Sequence, residues 1–470
     1  MNWKMEAKER EQELVKDTQE FLQIKSVLME VEKEEGAPFG RGIKEALNYA
    51  LQKCNQFGMI TKNLDGYAGH AEIGVGKDLI GILCHVDVVP EGDGWSSPPY
   101  SAEIRDGKIF ARGAIDDKGP TMAAIYAMKI VKELGLPLSK RVRLILGTDE
   151  ESHWRGVNYY FEREEMPTMG FAPDADFPII IAEKGIVNVH IQQQTEVHNS
   201  YPQENFITLT TFYAGQRSNM VPDLAKATFS GQRDELEGLR NRFEVFLQQY
   251  PHHGNVNQVN DKLEITLKGI SAHGMEPHKG VNAGLELIHF LVQQREAIMV
   301  PSWMSWMDEH LYGEHLGTKL GISFTDDITG PLTVNPGIIQ FIDQTFQLVL
   351  NIRYPVTTAY EEMIENLKRL VQHGNLEIAD ISNSKPHHVD KEHLLVKTLQ
   401  KVYEEQTGAK ATLLSIGGGT YARALNSGVA FGPLFPGKEE TAHQKDEYIE
   451  IEDLLNATAI YAQAIYELAK

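Results

Sequence analysis

The sequence predicts an α/β protein: a mostly parallel sheet assembled from both ends of the chain and interrupted by a long α+β insertion containing ferredoxin-like units. Three observations predict it. Residues up to about 185 alternate unbroken apolar runs with helical patterns, the middle of the chain switches to strands of alternating polarity, and the first pattern resumes after about Ser384. Unbroken apolar strands belong to parallel sheets covered on both faces, whereas alternation marks sheets with one face toward water. The expected boundaries are 1–185 and 385–470 for the larger domain and 186–384 for the insertion.

The first segment, MNWKMEAKEREQELVKDTQEFLQ, has the spacing of an amphipathic helix and lacks the apolar core and small-residue cleavage site of a signal peptide. Leu79 to Cys84 is a continuous apolar run, as is RVRLILGT from Arg141 to Thr148. Between them, GPTMAAIYAMKIVKELG sets Pro120 in a first helical turn, aligns Met122, Tyr126, Ile130 and Leu134 on one ridge and stops at Gly135. Strand, helix, strand implies a parallel pair with a crossover.

The insertion carries the alternating runs FITLTTFYAG, KLEITLKGI and TFQLVLNIRYP, interleaved with the helical patterns DELEGLRNRFEVFLQQY and YEEMIENLKRLVQHG. Its Trp- and Met-rich stretch PSWMSWMDEHLYGEHLG is expected to serve packing or a lid contact, not a cofactor. After the insertion come the helical HLLVKTLQKVYEEQ, the glycine cluster SIGGGTYARAL and a final helix from about Glu452.

At 470 residues the chain is long enough for two or more domains. The 45 basic against 66 acidic residues leave a net charge of −21, which repels phosphate backbones and anionic lipid, so nucleic acid and membrane surfaces are excluded as expected partners. No apolar run approaches the length that spans a bilayer. Only Cys54 and Cys84 occur, the second inside an apolar strand, so no disulfide framework is expected and a reducing cytoplasm fits best.

The apolar strand of GILCHVDVVPEGDGW ends in His85 and Asp87, which share a face of extended backbone at the end of the sheet where ligands bind. Asp87 is placed to fix the tautomer of a metal-bound His85. Asp116 and Asp117 precede the Pro120 helix, where two acids could equally complement the helix dipole. The next strand ends in TDEES, with Asp149, Glu150 and Glu151 crowded together and no adjacent basic residue. Such repulsion is economically relieved by a divalent cation. Asp174 in FAPDADFP and His443 in TAHQKDEY complete a mixed nitrogen and oxygen donor set that suits zinc, cobalt or manganese.

Taken in order, CHVDVVPEGDGW, ARGAIDDKG, GTDEES, APDAD and AHQKDE resemble the di-zinc metallopeptidases that include aminoacylases, bacterial carboxypeptidases and succinyl-diaminopimelate desuccinylase, with bacterial dipeptidases nearest. The likeness runs through nearly the whole chain. It implies a zinc-peptidase-like catalytic domain with two divalent metal ions, zinc first and manganese or cobalt as alternatives. It implies His85 and Asp174 on one ion, Glu151 and His443 on the other, and Asp116, the aspartate opening D-x-K-G, as their bridge. It further implies Glu150 as general base and Asp87 as orienter of His85.

In the insertion, the resemblance makes a lid that presents Asn219 from GQRSNMVPDLAKATF, His273 from GISAHGMEPHKGVNAG as an oxyanion donor, and Arg353 from LNIRYP as a carboxylate clamp. It also puts Gly417, Gly418, Gly419 and Thr420 beside substrate. His252–His253 and His387–His388 match no ligand position and are expected in surface loops. Two metals can polarise a carbonyl and bind water as hydroxide, while Glu150 moves the proton. The resulting expectation is a cytoplasmic, monomeric, metal-dependent dipeptidase acting on unblocked dipeptides. An N-acyl-amino-acid deacylase or carboxypeptidase of the same family is the first alternative. A noncatalytic metal-containing binding protein is the alternative of another class, against which Glu150 argues because binding alone needs no base.

Overall fold

A computed structural model describes residues 1–194, 207–259 and 261–470. The chain forms two compact units: Met1–Ala182, His388–Ser415 and Gly419–Lys470 make the first, and Glu183–His387 with Ile416–Gly418 the second.

In the first unit, Leu79–His85 is buried at every position, as an unbroken apolar run requires. It pairs in parallel with Arg141–Gly147 on one side and Met169–Ala172 on the other, and Gly428–Ala430 continues the parallel order beyond Met169–Ala172. The flanks run antiparallel: Ala68–Gly74 joins Arg141–Gly147, and Ile60–Leu64 closes that edge as a hairpin partner. Helix Lys118–Glu133 is the crossover between the two central strands, and its side chains are buried on all sides from Lys118 to Val131. A helix apolar all round belongs in a core, and this one packs against the final helix, Ile451–Ala469. Each fully buried aliphatic side chain of this layer contributes about 1.5–3 kcal/mol.

The second unit is an eight-stranded antiparallel sheet in the order Gly254–Val259, Lys262–Lys268, Leu224–Ser230, Thr208–Ala214, Thr333–Ile342, Thr345–Tyr354, Gly185–Gln194, Glu377–Ser384. Leu263, Ile265 and Leu267 are buried while their neighbours in Lys262–Lys268 are not, so one face meets the core. Phe206, the first residue of the run FITLTTFYAG, lies outside the described residues, and the strand begins at Thr208. Helix Arg233–Gln249 buries Leu236, Leu239 and Phe243, three and four residues apart.

The Trp- and Met-rich stretch forms helix Ser302–His310, with Trp303, Met304, Trp306 and Met307 all in this core. Trp303 stacks on Phe346 with ring centroids 4.4 Å apart, so the segment serves packing. His387–His388, expected in a loop, instead forms a two-residue strand, an element too short to leave a period in sequence. Both cysteines are buried and unpaired, and no helix among the described residues is long and apolar enough to cross a membrane.

Candidate metal centre

The register of the central strands brings the polar residues together. His85 pairs with Gly147, so the segments that follow both strands emerge side by side, and Asp174 follows the next parallel strand. The His85 ring is fully buried. Its Nδ1 lies 2.9 Å from the backbone carbonyl of Asp87. A carbonyl can only accept, so Nδ1 carries the proton and Nε2 is left facing Asp116 Oδ1 at 3.0 Å and Asp174 Oδ1 at 3.8 Å.

The buried Asp87 carboxylate is 3.5 Å from the same ring nitrogen, and it accepts the backbone N–H groups of Glu150 at 3.2 Å and Glu151 at 3.1 Å. Asp87 therefore orients His85 mainly through its main chain and uses its side chain to hold the acidic loop.

His443 comes from near the end of the chain in a left-handed backbone conformation, φ 62°. Its Nε2 is 2.9 Å from Asp116 Oδ2 and 3.0 Å from Glu151 Oε1. The two oxygens of Asp116 thus face different histidines. Two groups of donors result, His85 with Asp116 and Asp174, and Asp116 with Glu151 and His443; within each, one donor atom per residue lies within 4.8 Å of the others. Asp117 is engaged elsewhere: its Oδ2 accepts the His85 backbone N–H at 3.0 Å and the Thr121 hydroxyl at 3.3 Å.

The expectation of three unrelieved acids after Arg141–Gly147 needs correction. Asp149 is buried and accepts Arg155 Nε at 2.8 Å and the Arg155 backbone N–H at 3.0 Å, so this charge is neutralised from six residues further on. The acids left beside the donor groups are strained electrostatically. Burial, then the charge of Asp174, holds the Glu150 carboxyl well above the usual carboxylate range. Burial and the neighbouring Asp116 push Glu151 up to about 7 and Asp174 up to about 6. For Asp116, burial is outweighed by the two imidazoles beside it, His443 and His85, which hold it well below its ordinary value. Hard oxygen donors with two imidazoles, crowded in this way, fit two divalent cations.

Two supports were not anticipated. Lys118, inside the D-x-K-G stretch, is buried and donates its Nζ to the Ile24 carbonyl at 2.5 Å, and burial lowers it to about 7. Tyr421, inside SIGGGTYARAL, packs edge-on against His85 and Trp154, with centroids 5.9 and 5.0 Å away. Gly147 makes room for it, since a Cβ there would lie 2.3 Å from the Tyr421 hydroxyl. Both residues fall within motifs already singled out, but neither chemistry nor period marks them.

The remaining candidates divide between the units. Asn219, His273, Arg353, Gly417 and Gly418 belong to the second. There the Asn219 carbonyl accepts Gly274 N–H at 2.7 Å, and Met220 and His273 form a bridge, so Asn219 and His273 are neighbours. Arg353 is buried and donates Nε to Asn351 Oδ1 at 2.9 Å and Nη1 to the Gly417 carbonyl at 2.8 Å. Gly419 and Thr420 belong to the first unit, where Thr420 Oγ1 accepts Ala422 N–H at 3.1 Å; the glycine cluster is thus not one uninterrupted element of either unit. His252 and His253 lie in a loop, and neither histidine pair joins a donor group among the described residues.

Asp116 is shared between two histidine–carboxylate groups that could each hold a metal ion, the donor arrangement a dinuclear metallohydrolase requires. Residues 81–467 match Peptidase family M20/M25/M40, and the chain belongs to that family. It is 52% identical over 471 residues to "Putative dipeptidase YtjP" of Bacillus subtilis (strain 168), covering 100% of both chains. It is 42% identical over 469 residues to a "Putative dipeptidase" of Staphylococcus epidermidis, covering 99% of each. Among solved structures, the M20 family metallo-carboxypeptidase Sso-CP2 of Sulfolobus solfataricus shares the fold with TM-score 0.56 and 18% identity, over 97% of this chain and 99% of that one. The di-peptidase Dug1p of Saccharomyces cerevisiae does so with TM-score 0.55 and 13% identity, over 100% and 98%.

Proposed function

We propose that this protein is a metal-dependent dipeptidase that hydrolyses unblocked dipeptides. The observation that carries the reading is the division of Asp116, one carboxylate oxygen toward each histidine, in a chain aligned end to end with relatives named as dipeptidases. His85 and Asp174 would hold one ion, Glu151 and His443 the other, and Asp116 both, with zinc the first choice and manganese or cobalt as substitutes. When bound, such a pair supplies Lewis acidity at the scissile carbonyl and lowers the pKa of water.

The chain's own residues do the rest. Glu150, whose carboxyl is raised by burial, is suited to take a proton from the attacking water and pass it to the leaving amine. Asp87 orients His85 and holds the backbone of Glu150. His273 as oxyanion donor, Asn219 and Arg353 as substrate contacts, and Gly417, Gly418, Gly419 and Thr420 as a substrate-facing stretch complete the assignment. In our reading one chain acts as a monomer.

The test is a substrate panel on protein stripped with chelator and reloaded with zinc, cobalt or manganese: free dipeptides, N-acetylated amino acids and tripeptides. Hydrolysis of free dipeptides, lost on chelation and restored by metal, is the expected result. Preference for N-acetylated amino acids would move the assignment to a deacylase, and preference for longer peptides to a carboxypeptidase. Full activity in exhaustively metal-free protein would exclude the mechanism.

A further inference from the structure

We infer that Arg112 and Glu447 form a positioning pair that builds the Asp116, Glu151 and His443 group and sets its metal affinity apart from that of the His85, Asp116 and Asp174 group. The inference rests on the two-metal reading above. Arg112 and Glu447 are almost completely buried, their side chains 2% and 0% exposed, and Arg112 Nη1 meets Glu447 Oε2 at 2.6 Å. Burying a charge pair is costly, and a buried pair is weak evidence for stability alone. Its partners show what it holds.

Glu447 Oε1 accepts the backbone N–H of Ile115 at 3.0 Å and of Asp116 at 3.3 Å. Arg112 Nη2 donates to the carbonyl of His443 at 3.3 Å and to that of Glu91 at 3.3 Å. The Glu447 carbonyl in turn accepts Ala111 N–H at 3.0 Å. One ion pair therefore grips the main chain at the shared aspartate and at the histidine opposite it, although the two segments are more than 300 residues apart in sequence (331 between Arg112 and His443).

The hold is unequal: Asp116 is common to both groups, but of the two histidines only His443 is gripped by the pair. His85 has its own supports in the Asp87 carbonyl and in Asp117, which accepts its backbone N–H. His443 is exposed, and its left-handed φ of 62° is a conformation a non-glycine residue holds only when its surroundings impose it. A turn closed by Gln444 N–H on the Thr441 carbonyl at 3.1 Å puts His443 in that conformation, and the guanidinium on its carbonyl is a second hold from a distant segment. Lysine at 112 keeps the charge but not the fork that reaches Glu447 and His443 together. Glutamine at 447 keeps an acceptor for Ile115 and Asp116 but loses the charge that anchors Arg112.

The experiment is zinc binding to the metal-free full-length protein, measured by competition with a chromophoric chelator, with thermal unfolding of each metal-free variant alongside. Arg112→Lys and Glu447→Gln are each expected to weaken one zinc step by about 10- to 100-fold and leave the other within about 3-fold. In a His443→Ala background, Arg112→Lys should have no further effect on the remaining step. Cobalt-loaded Arg112→Lys should show an altered visible spectrum for one of its two ions only. Two unchanged zinc steps in folded Arg112→Lys or Glu447→Gln protein, or equal weakening of both, would overturn the inference. A wild-type protein that binds fewer than two zinc ions would instead sink the underlying two-metal reading, so the two failures are distinct. If Arg112→Lys does not fold, the nearly isosteric Glu447→Gln carries the same test.

Discussion

His85 Nδ1 lies 2.9 Å from the main-chain carbonyl of Asp87 and 3.5 Å from its carboxylate, which is occupied by the backbone N–H groups of Glu150 and Glu151. The side chain that a sequence motif assigns to the histidine is divided between the histidine and the loop bearing the proposed base. Asp87→Asn keeps the carbonyl contact but can offer only one acceptor to the two N–H groups. It should retain metal at saturating zinc while lowering kcat by about 10- to 100-fold. Metal content and kcat measured on the same preparation check this. Loss of metal in step with activity would return Asp87 to the role of histidine orienter alone.

Glu150 and Glu151 are adjacent in sequence and should separate functionally. Glu150→Gln is expected to keep both ions and lose about 10²–10⁴-fold in kcat, because a proton carrier is removed without a donor. Glu151→Gln should weaken the ion shared with His443, given the 3.0 Å approach of His443 Nε2 to Glu151 Oε1. Zinc stoichiometry and steady-state kinetics on both variants decide it; equal metal loss with unchanged turnover contradicts the division.

Gly147 ends its strand against Tyr421, where a Cβ would fall 2.3 Å from the hydroxyl and 2.4 Å from the ring. Gly147→Ala should therefore cost about 1–3 kcal/mol through overpacking. Because Tyr421 packs on His85, kcat should fall as well. Denaturant unfolding and kinetics measure both. A variant with native stability would show that the Tyr421 ring moves aside freely.

His70, buried in Ala68–Gly74, receives the Tyr160 hydroxyl on Nδ1 at 2.9 Å, and Arg143 Nη1 donates to the same hydroxyl at 3.2 Å. Burial, then the charge of Arg143, lowers its pKa to about 4. The unfolded chain then binds a proton that the folded chain excludes, so this residue costs nothing above about pH 6.5 and its cost grows as pH falls toward 4. His70→Gln should thus lose less Tm than the wild type between pH 6.5 and 4. Parallel Tm curves for the two proteins over that range would contradict a neutral, buried His70.

By itself the sequence determined what local chemistry and period can carry. The unbroken run Leu79 to Cys84 specified a doubly covered strand, and alternation in KLEITLK specified a sheet with one covered face. The order of the five acidic and histidine motifs carried a family resemblance, and that resemblance implied donors for two ions and, through D-x-K-G, chose Asp116, the aspartate that the structure turns toward both histidines while Asp117 holds the His85 main chain.

The tertiary structure decided whatever depends on chain reversal or on distant segments meeting. Arg155 neutralises Asp149 only because the backbone after Glu151 turns back over the strand end, so a charge count along TDEES could not find it. Arg112 and Glu447 sit inside quoted motifs, but their pairing exists only when segments 335 residues apart are buried together. The same holds for the contact of His443 with Asp116 and Glu151. Side-chain period is a property of neighbours along the chain, whereas a buried ion pair or a donor group is fixed by which surfaces fold onto one another, and hydrogen-bond geometry then selects a single arrangement from the many that the residue types alone would allow.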